Sequence, residues 1–195
     1  SVKDANGIKN VLDVLHKVGH DDVLLVISAM GKTTNALEIV IKNYFEKSNQ
    51  LQSSIQEVKK YHNQILLDLF EDENHDVFFT VNSHFADLEY FLRSNKSPNY
   101  NFVYDQVVSY GELISTTIVS NYFNFQGLKN NWLDVRNFIK TDTTYRDAIV
   151  DWEATQKLIS KNIKKKSVNI TQGFIGSDEN SFTTTLGREG SDYTA

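Results

Sequence analysis

Apolar positions recur along the chain with two clear periods. Leu51, Ile55, Val58, His62, Ile65 and Leu69 step by 4, 3, 4, 3 and 4, and Phe78, Val81, Phe85, Leu88 and Leu92 by 3, 4, 3 and 4. That spacing puts each set on one stripe of a helix, where core packing is the simplest use for it. The acidic turn Glu71-Asp72-Glu73-Asn74 between the runs predicts an antiparallel helical hairpin. Upstream, Ile8, Val11, Leu12, Leu15 and Val18 make the stripe of a first helix, capped by Asp4 and stopped by Gly19. Val23-Leu24-Leu25-Val26-Ile27 is an unbroken apolar run, expected as a strand buried on both faces in a helix-covered parallel sheet. A loop over 28–34 and a helix from about Asn35 follow, then a long helix over 101–125 and a strand over 131–135. Asp151 should cap a helix that ends in Lys161-Asn162-Ile163-Lys164-Lys165-Lys166, where cations suit the helix dipole. A strand over 168–171 leads into a glycine-rich, loop-rich tail. The order predicts an α/β layered domain interrupted by a helical insertion over about 36–125.

Composition narrows the function. The 195 residues contain 20 Lys and Arg against 25 Asp and Glu, a formal charge of −5, with no cysteine. Without cysteine there is no disulfide scaffold, thiolate metal site or cysteine nucleophile. A pI near 5.5 argues against nucleic acid as a partner. The longest aliphatic run, Val23 to Ile27, is far short of the ~20 residues that span a bilayer, so no membrane partner is expected. Nothing at the N-terminus reads as a signal peptide, and the expected compartment is the cytoplasm. The single methionine is Met30, so Ser1 marks either a processed chain or a piece of a longer one.

Three segments carry candidate chemistry. Ser28-Ala29-Met30-Gly31-Lys32-Thr33-Thr34-Asn35 follows the apolar strand, where open α/β sheets bind ligands. Gly31-Lys32-Thr33 imitates the end of a P-loop, but Val26 stands where the first P-loop glycine is required, so that reading fails. What remains is a loop of hydroxyls and amides feeding a helix N-terminus, suited to an anion or to simple connection. In Ser109-Tyr110-Gly111-Glu112-Leu113-Ile114-Ser115-Thr116, Gly111 is costly inside a helix and signals a close approach. Glu112 shares its face with Val108, Ser109, Ser115 and Thr116, so it is either a surface glutamate or a receptor for an ammonium group. Third, Gly173-Phe174-Ile175-Gly176 precedes Thr183-Thr184-Thr185-Leu186-Gly187-Arg188-Glu189-Gly190-Ser191-Asp192. Here Arg188 offers a fork for a carboxylate or phosphate, the region of Gly187 and Gly190 offers amides to phosphate oxygens, and Asp192 can cap a helix or orient a cation. The five histidines form no metal-spaced pair and are read as structural, and no metal site is expected.

Together, and in this order, the three segments resemble the signatures of the aspartokinases within the amino acid kinase family. The resemblance spans the whole chain. It implies the N-terminal part of a three-layer, parallel-sheet, carbamate kinase-like fold with a long helical insertion, and transfer of the γ-phosphoryl of ATP, with Mg2+, to the side-chain carboxylate of L-aspartate. By the same resemblance Ser28 and Thr34 line the aspartate pocket, Glu112 takes the α-ammonium, Arg188 pairs with a substrate carboxylate, Ser191 and Asp192 complete the pocket, and Asp192 is the catalytic aspartate. A homo-oligomer is also implied. The family's opening motif Lys-Phe-Gly-Gly-(Ser/Thr)-Ser-Val survives only as Ser1-Val2, and the chain stops just past the third signature. The expectation is therefore an aspartate-binding part, inactive alone, with the nucleotide-binding half and the regulatory ACT domains elsewhere. Two departures stand out: Ser181 replaces a usual glycine, and Glu189 adds a negative charge to the Arg-Gly-Gly-Ser-Asp signature. Two alternatives are another carboxylate-phosphorylating amino acid kinase, such as acetylglutamate kinase, and a non-catalytic amino-acid-binding or dimerisation module.

Overall fold

The computed structural model describes residues 2–187 and 190–195. Helix α1 (Ala5–Val18) starts where the Asp4 carboxylate accepts the Gly7 N–H at 2.8 Å and ends at Gly19 with φ 96°. It leads into strand β1 (Val23–Ile27), and four helices follow: α2 (Thr33–Phe45), α3 (Leu51–Leu69), α4 (Asp76–Ser94) and α5 (Tyr100–Phe125). Then come β2 (Asn130–Leu133), α6 (Trp152–Asn162), β3 (Val168–Gln172), β4 (Ile175–Ser177), β5 (Thr183–Thr185) and the short α7 (Gly190–Thr194).

Strands β1, β3 and β2 form a parallel sheet in that order, with Val23 opposite Val168 and Asn130 opposite Val168. The central strand β3 is buried at every residue. Helix α5 packs against β1, β2, β3 and β5 and is the spine of the molecule. Its polar residues tie it to the sheet: the Thr116 hydroxyl accepts hydrogen bonds from Trp132 Nε1 at 2.9 Å and Gln172 Nε2 at 2.7 Å. The predicted stripes are buried as expected, with Ile55, Val58, His62, Ile65, Leu69, Val81, Phe85, Leu88 and Leu92 all in the interior. Helix α3 rests chiefly on α2, and α4 on α5. Phe70 closes the turn between α3 and α4, its ring packed on His75, Phe78, Tyr122 and Phe125.

Four local expectations need correction. Strand β1 is not buried on both faces: among the described residues it pairs on one side only, with β3, and Leu24 is 37% exposed. The strand expected over 131–135 ends at Leu133, because the Asp134 carboxylate accepts the Arg136 N–H and starts a 3-10 turn at Val135. The basic run does not finish α6: the helix stops at Asn162, and Lys166, at φ 54°, donates its N–H to Asp22. The threonine run is no loop but β5, paired antiparallel with β4.

Candidate functional site

The loop after β1 is shaped by the two helices beside it. On the α5 side, the Ser115 hydroxyl donates to the Ser28 carbonyl at 2.7 Å. Gly111 makes this approach possible, since a Cβ there would lie 3.0 Å from Ala29 Cβ and 3.3 Å from Thr33 Cγ2. On the α3 side, the Tyr61 hydroxyl donates to the Lys3 carbonyl and covers Gly31, where a Cβ would come within 2.5 Å of the phenol oxygen. His62 lies beneath, fully buried, with Nδ1 2.8 Å from the Val58 carbonyl and Nε2 3.4 Å from the Thr33 hydroxyl. Burial pushes its pKa down to about 4, so the ring is neutral; Nδ1–H donates to Val58, and Nε2 is left as an acceptor.

Glu112 is 2% exposed. Its Oε1 accepts the Ala29 N–H at 3.2 Å, while Oε2 is buried with no partner. Desolvation pushes the carboxyl up to about 8, against the lowering effect of the Ala29 hydrogen bond. A buried acid with a free oxygen favours a cation that replaces the lost water.

The third segment reaches the same place through main-chain bonds. Gly173 N–H donates to the Ile27 carbonyl at 3.0 Å, fixing the chain as it leaves β3. A Cβ on Gly173 would be 2.7 Å from both Cβ and Oγ of Ser191, so glycine lets α7 come close. Ser191 Oγ then accepts from the Ser28 hydroxyl at 2.7 Å, joining positions 163 residues apart. Strand β5 is held by Asp105 on α5, whose carboxylate accepts the Thr185 N–H and hydroxyl, both at 2.8 Å, and the Arg146 N–H. Burial raises the Asp105 pKa to about 6, opposed by these hydrogen bonds.

These elements enclose an open cavity of about 570 Å³, in the range of small-molecule sites. Ser28, Thr34, Glu112, Gly187, Gly190, Ser191 and Asp192 all line it, so three segments distant in sequence converge on one space. The Arg188 expectation lies outside the described residues. Tyr104, Arg146 and Phe174 also line the cavity; none of the three was named as a site residue from the sequence, although Phe174 lies inside the glycine segment quoted there. Tyr104 had a signal in its i, i+4 spacing from Tyr100 on α5, whereas Arg146 and Phe174 sit in turns with positive φ that no periodicity marks. Gly190 also has a packing reason to be glycine, since a Cβ would press on Phe174 and Leu186. Among the described residues no three His, Asp or Glu side chains cluster as a metal site, and no helix is long and apolar enough to cross a membrane.

The model of the amino acid kinase family matches residues 1–195. The chain belongs to the amino acid kinase family. Within it, the resemblance is to aspartokinases. The chain is 28% identical over 198 residues to bifunctional aspartokinase/homoserine dehydrogenase 2 of Escherichia coli K12, covering 100% of this chain and 24% of that protein. To the chloroplastic aspartokinase 1 of Arabidopsis thaliana it is 30% identical over 208 residues, 100% of this chain and 35% of the relative. Among solved structures, E. coli aspartokinase III in complex with aspartate and ADP superimposes with a TM-score of 0.89 at 26% identity, over 100% of this chain and 43% of that one. This amino acid kinase domain is therefore of the aspartokinase type, with the expected α/β fold, and the chain spans less than half the length of these relatives.

Proposed function

We propose that this domain is the aspartate-binding part of an aspartate kinase, which transfers the γ-phosphoryl of ATP to the side-chain carboxylate of L-aspartate, giving 4-phospho-L-aspartate and ADP. The observation that carries the reading is Glu112: a fully buried carboxylate with one unpartnered oxygen, in a cavity shared with the Ser28 and Ser191 hydroxyls. An α-ammonium group supplies the missing charge and donor. Binding it there orients the amino acid, so that its distal carboxylate becomes the acceptor. Arg188 is proposed to pair with a substrate carboxylate, and Ser28, Thr34 and Ser191 to bound the pocket. Asp192 is the proposed catalytic aspartate, acting by charge and orientation, because phosphoryl transfer asks mainly for positioning and neutralisation. Asp192 also fits a Mg2+ carried in on nucleotide phosphates, which needs only one or two protein carboxylates and not a full cage. When bound, that ion neutralises charge on the phosphates. Gly187 and Gly190 are proposed to lie beside the phosphates, in a longer, cytoplasmic, homo-oligomeric protein that contributes the rest of the nucleotide site. The helical insertion is assigned to about 36–125.

The test is an assay of the full-length protein carrying this domain. With ATP and L-aspartate, acyl phosphate trapped by hydroxylamine is expected, and none with N-acetylglutamate in place of aspartate. Residues 1–195 alone are expected to give none. Turnover of N-acetylglutamate but not aspartate overturns the reading in favour of another amino acid kinase.

A further inference from the structure

The described lining of the cavity includes two carboxylates, Glu112 and Asp192, and one cation, Arg146. An amino dicarboxylate and a nucleoside triphosphate both bring anions into such a space. The placement of Arg146 is enforced by its surroundings. Its backbone sits at φ 72°, a region costly to any residue with a Cβ. It stays there because its N–H is shared between the two oxygens of Asp105, at 3.1 and 3.0 Å, and Asp105 is wholly buried and tied to β5. From that fixed point the guanidinium lies over the Tyr104 ring, 4.2 Å from its centroid and 5.9 Å from that of Tyr100. Tyr104 is held in turn by its hydroxyl, which donates to Glu38 at 3.1 Å. Stacking uses the flat face of a guanidinium and leaves its N–H edge, the part that forks onto an oxyanion.

We propose that Arg146 is a substrate-positioning residue of this cavity, receiving an oxyanion of the bound substrates: a carboxylate of the amino dicarboxylate or a phosphate of the nucleotide. The inference deepens the aspartate kinase reading and rests on it. It adds a second guanidinium, from the turn after β2, to the one proposed at Arg188. Glu112 selects for the ammonium and Arg146 for the anion, so an amino acid lacking a second acidic group, or a nucleotide lacking its phosphates, leaves one of the two unsatisfied.

The experiment compares wild type with Arg146→Gln, Arg146→Gly and Arg146→Lys in the full-length protein, measuring kcat, KM for L-aspartate, KM for ATP and melting temperature. Losing a forked, charge-assisted pair is expected to lower kcat/KM roughly ten- to hundredfold in the Gln and Gly variants, with partial recovery in Lys. A rise in the aspartate KM alone assigns a carboxylate to Arg146, and a rise in the ATP KM alone assigns a phosphate. The glycine variant separates recognition from structure, since glycine relieves the left-handed backbone. A merely structural Arg146 predicts a Gly variant at least as stable as wild type and fully active. Values of kcat/KM within tenfold of wild type for both substrates in the Gln and Gly variants overturn the proposal. If wild type makes no phosphoaspartate, the kinase reading fails by itself. ADP and L-aspartate affinities, measured by calorimetry on the same proteins, then decide Arg146: equal affinity of wild type and R146Q for both ligands overturns it.

Discussion

Replacing Glu112 by glutamine should stabilise the protein at alkaline pH while removing its hold on an amino group. In the native state the carboxyl is pushed from its ordinary 4.5 up to about 8 by burial. The folded protein therefore keeps a proton that the unfolded chain releases, and stability falls as pH rises between those two values. At 1.36 kcal/mol per pKa unit, the whole penalty is about 5 kcal/mol, of which roughly 3 to 4 kcal/mol develops between pH 5 and pH 8. Glutamine mimics the protonated acid, still accepts the Ala29 N–H, and carries no proton to lose. Urea unfolding of wild type and E112Q, without substrate, should give nearly equal stability at pH 5 and a gap of that size in favour of E112Q at pH 8. The difference between the two curves cancels the other titrating groups, Asp105 and His62 among them. The same acid predicts that an ammonium ligand expels a proton. At pH 7 a carboxyl of pKa about 8 is about nine-tenths protonated, so aspartate binding should release close to one proton, read by calorimetry in buffers of different ionisation enthalpy. Parallel stability curves, together with proton-neutral binding, would refute the reasoning and remove Glu112 from the pocket.

Asp105→Ala strands the Thr185 N–H and hydroxyl and the Arg146 N–H, and should cost about 2–4 kcal/mol in urea unfolding; a loss under 1 kcal/mol would mean that these donors find water. Gly173→Ala forces Ser191 away from the end of β3, because the new Cβ would lie 2.7 Å from its side chain; the aspartate KM of the full-length protein should rise about tenfold, by analogy with other small misplacements of positioning groups. Ser181 has φ 65°, so Ser181→Gly should be neutral to stabilising, by up to about 1 kcal/mol in thermal melts, and clear destabilisation would show that the serine side chain is needed.

The helices were legible because they obey one period over many residues. Leu51 to Leu69 and Phe78 to Leu92 give enough turns for a buried stripe to declare itself. The hairpin of β4 and β5 was hidden because strands of three residues hold too few alternations to show a period, and Thr183-Thr184-Thr185 shows none. The run Val23 to Ile27 announced a strand but not how far each of its faces is covered, which a local sequence does not record. In the cavity, the described residues of the signature segments were legible because glycines and hydroxyls cluster there in short order. Arg146 was not, since it enters the site through the partners of its backbone N–H and of its guanidinium face, none within forty residues of it. The positive φ of Ser181 gives physical meaning to the serine that stands where the family resemblance leads one to expect glycine: the turn asks for a left-handed residue, and serine meets it at a cost.

The Tyr61 hydroxyl that roofs Gly31 has a bearing on how the protein can be re-engineered. Helices α3 and α4 look like an appendage, the sort of segment a protein chemist trims to reach a minimal catalytic sheet. Yet α3 forms one wall of the mould in which the loop after β1 is cast, through Tyr61 above Gly31 and His62 beneath Thr33. A shortened chain that joined α2 directly to α5 would keep every signature motif and lose the surface that gives the first of them its shape. Miniaturised versions of this domain must therefore carry a substitute for α3, and chimeras between relatives should exchange the loop and that helix as one cassette.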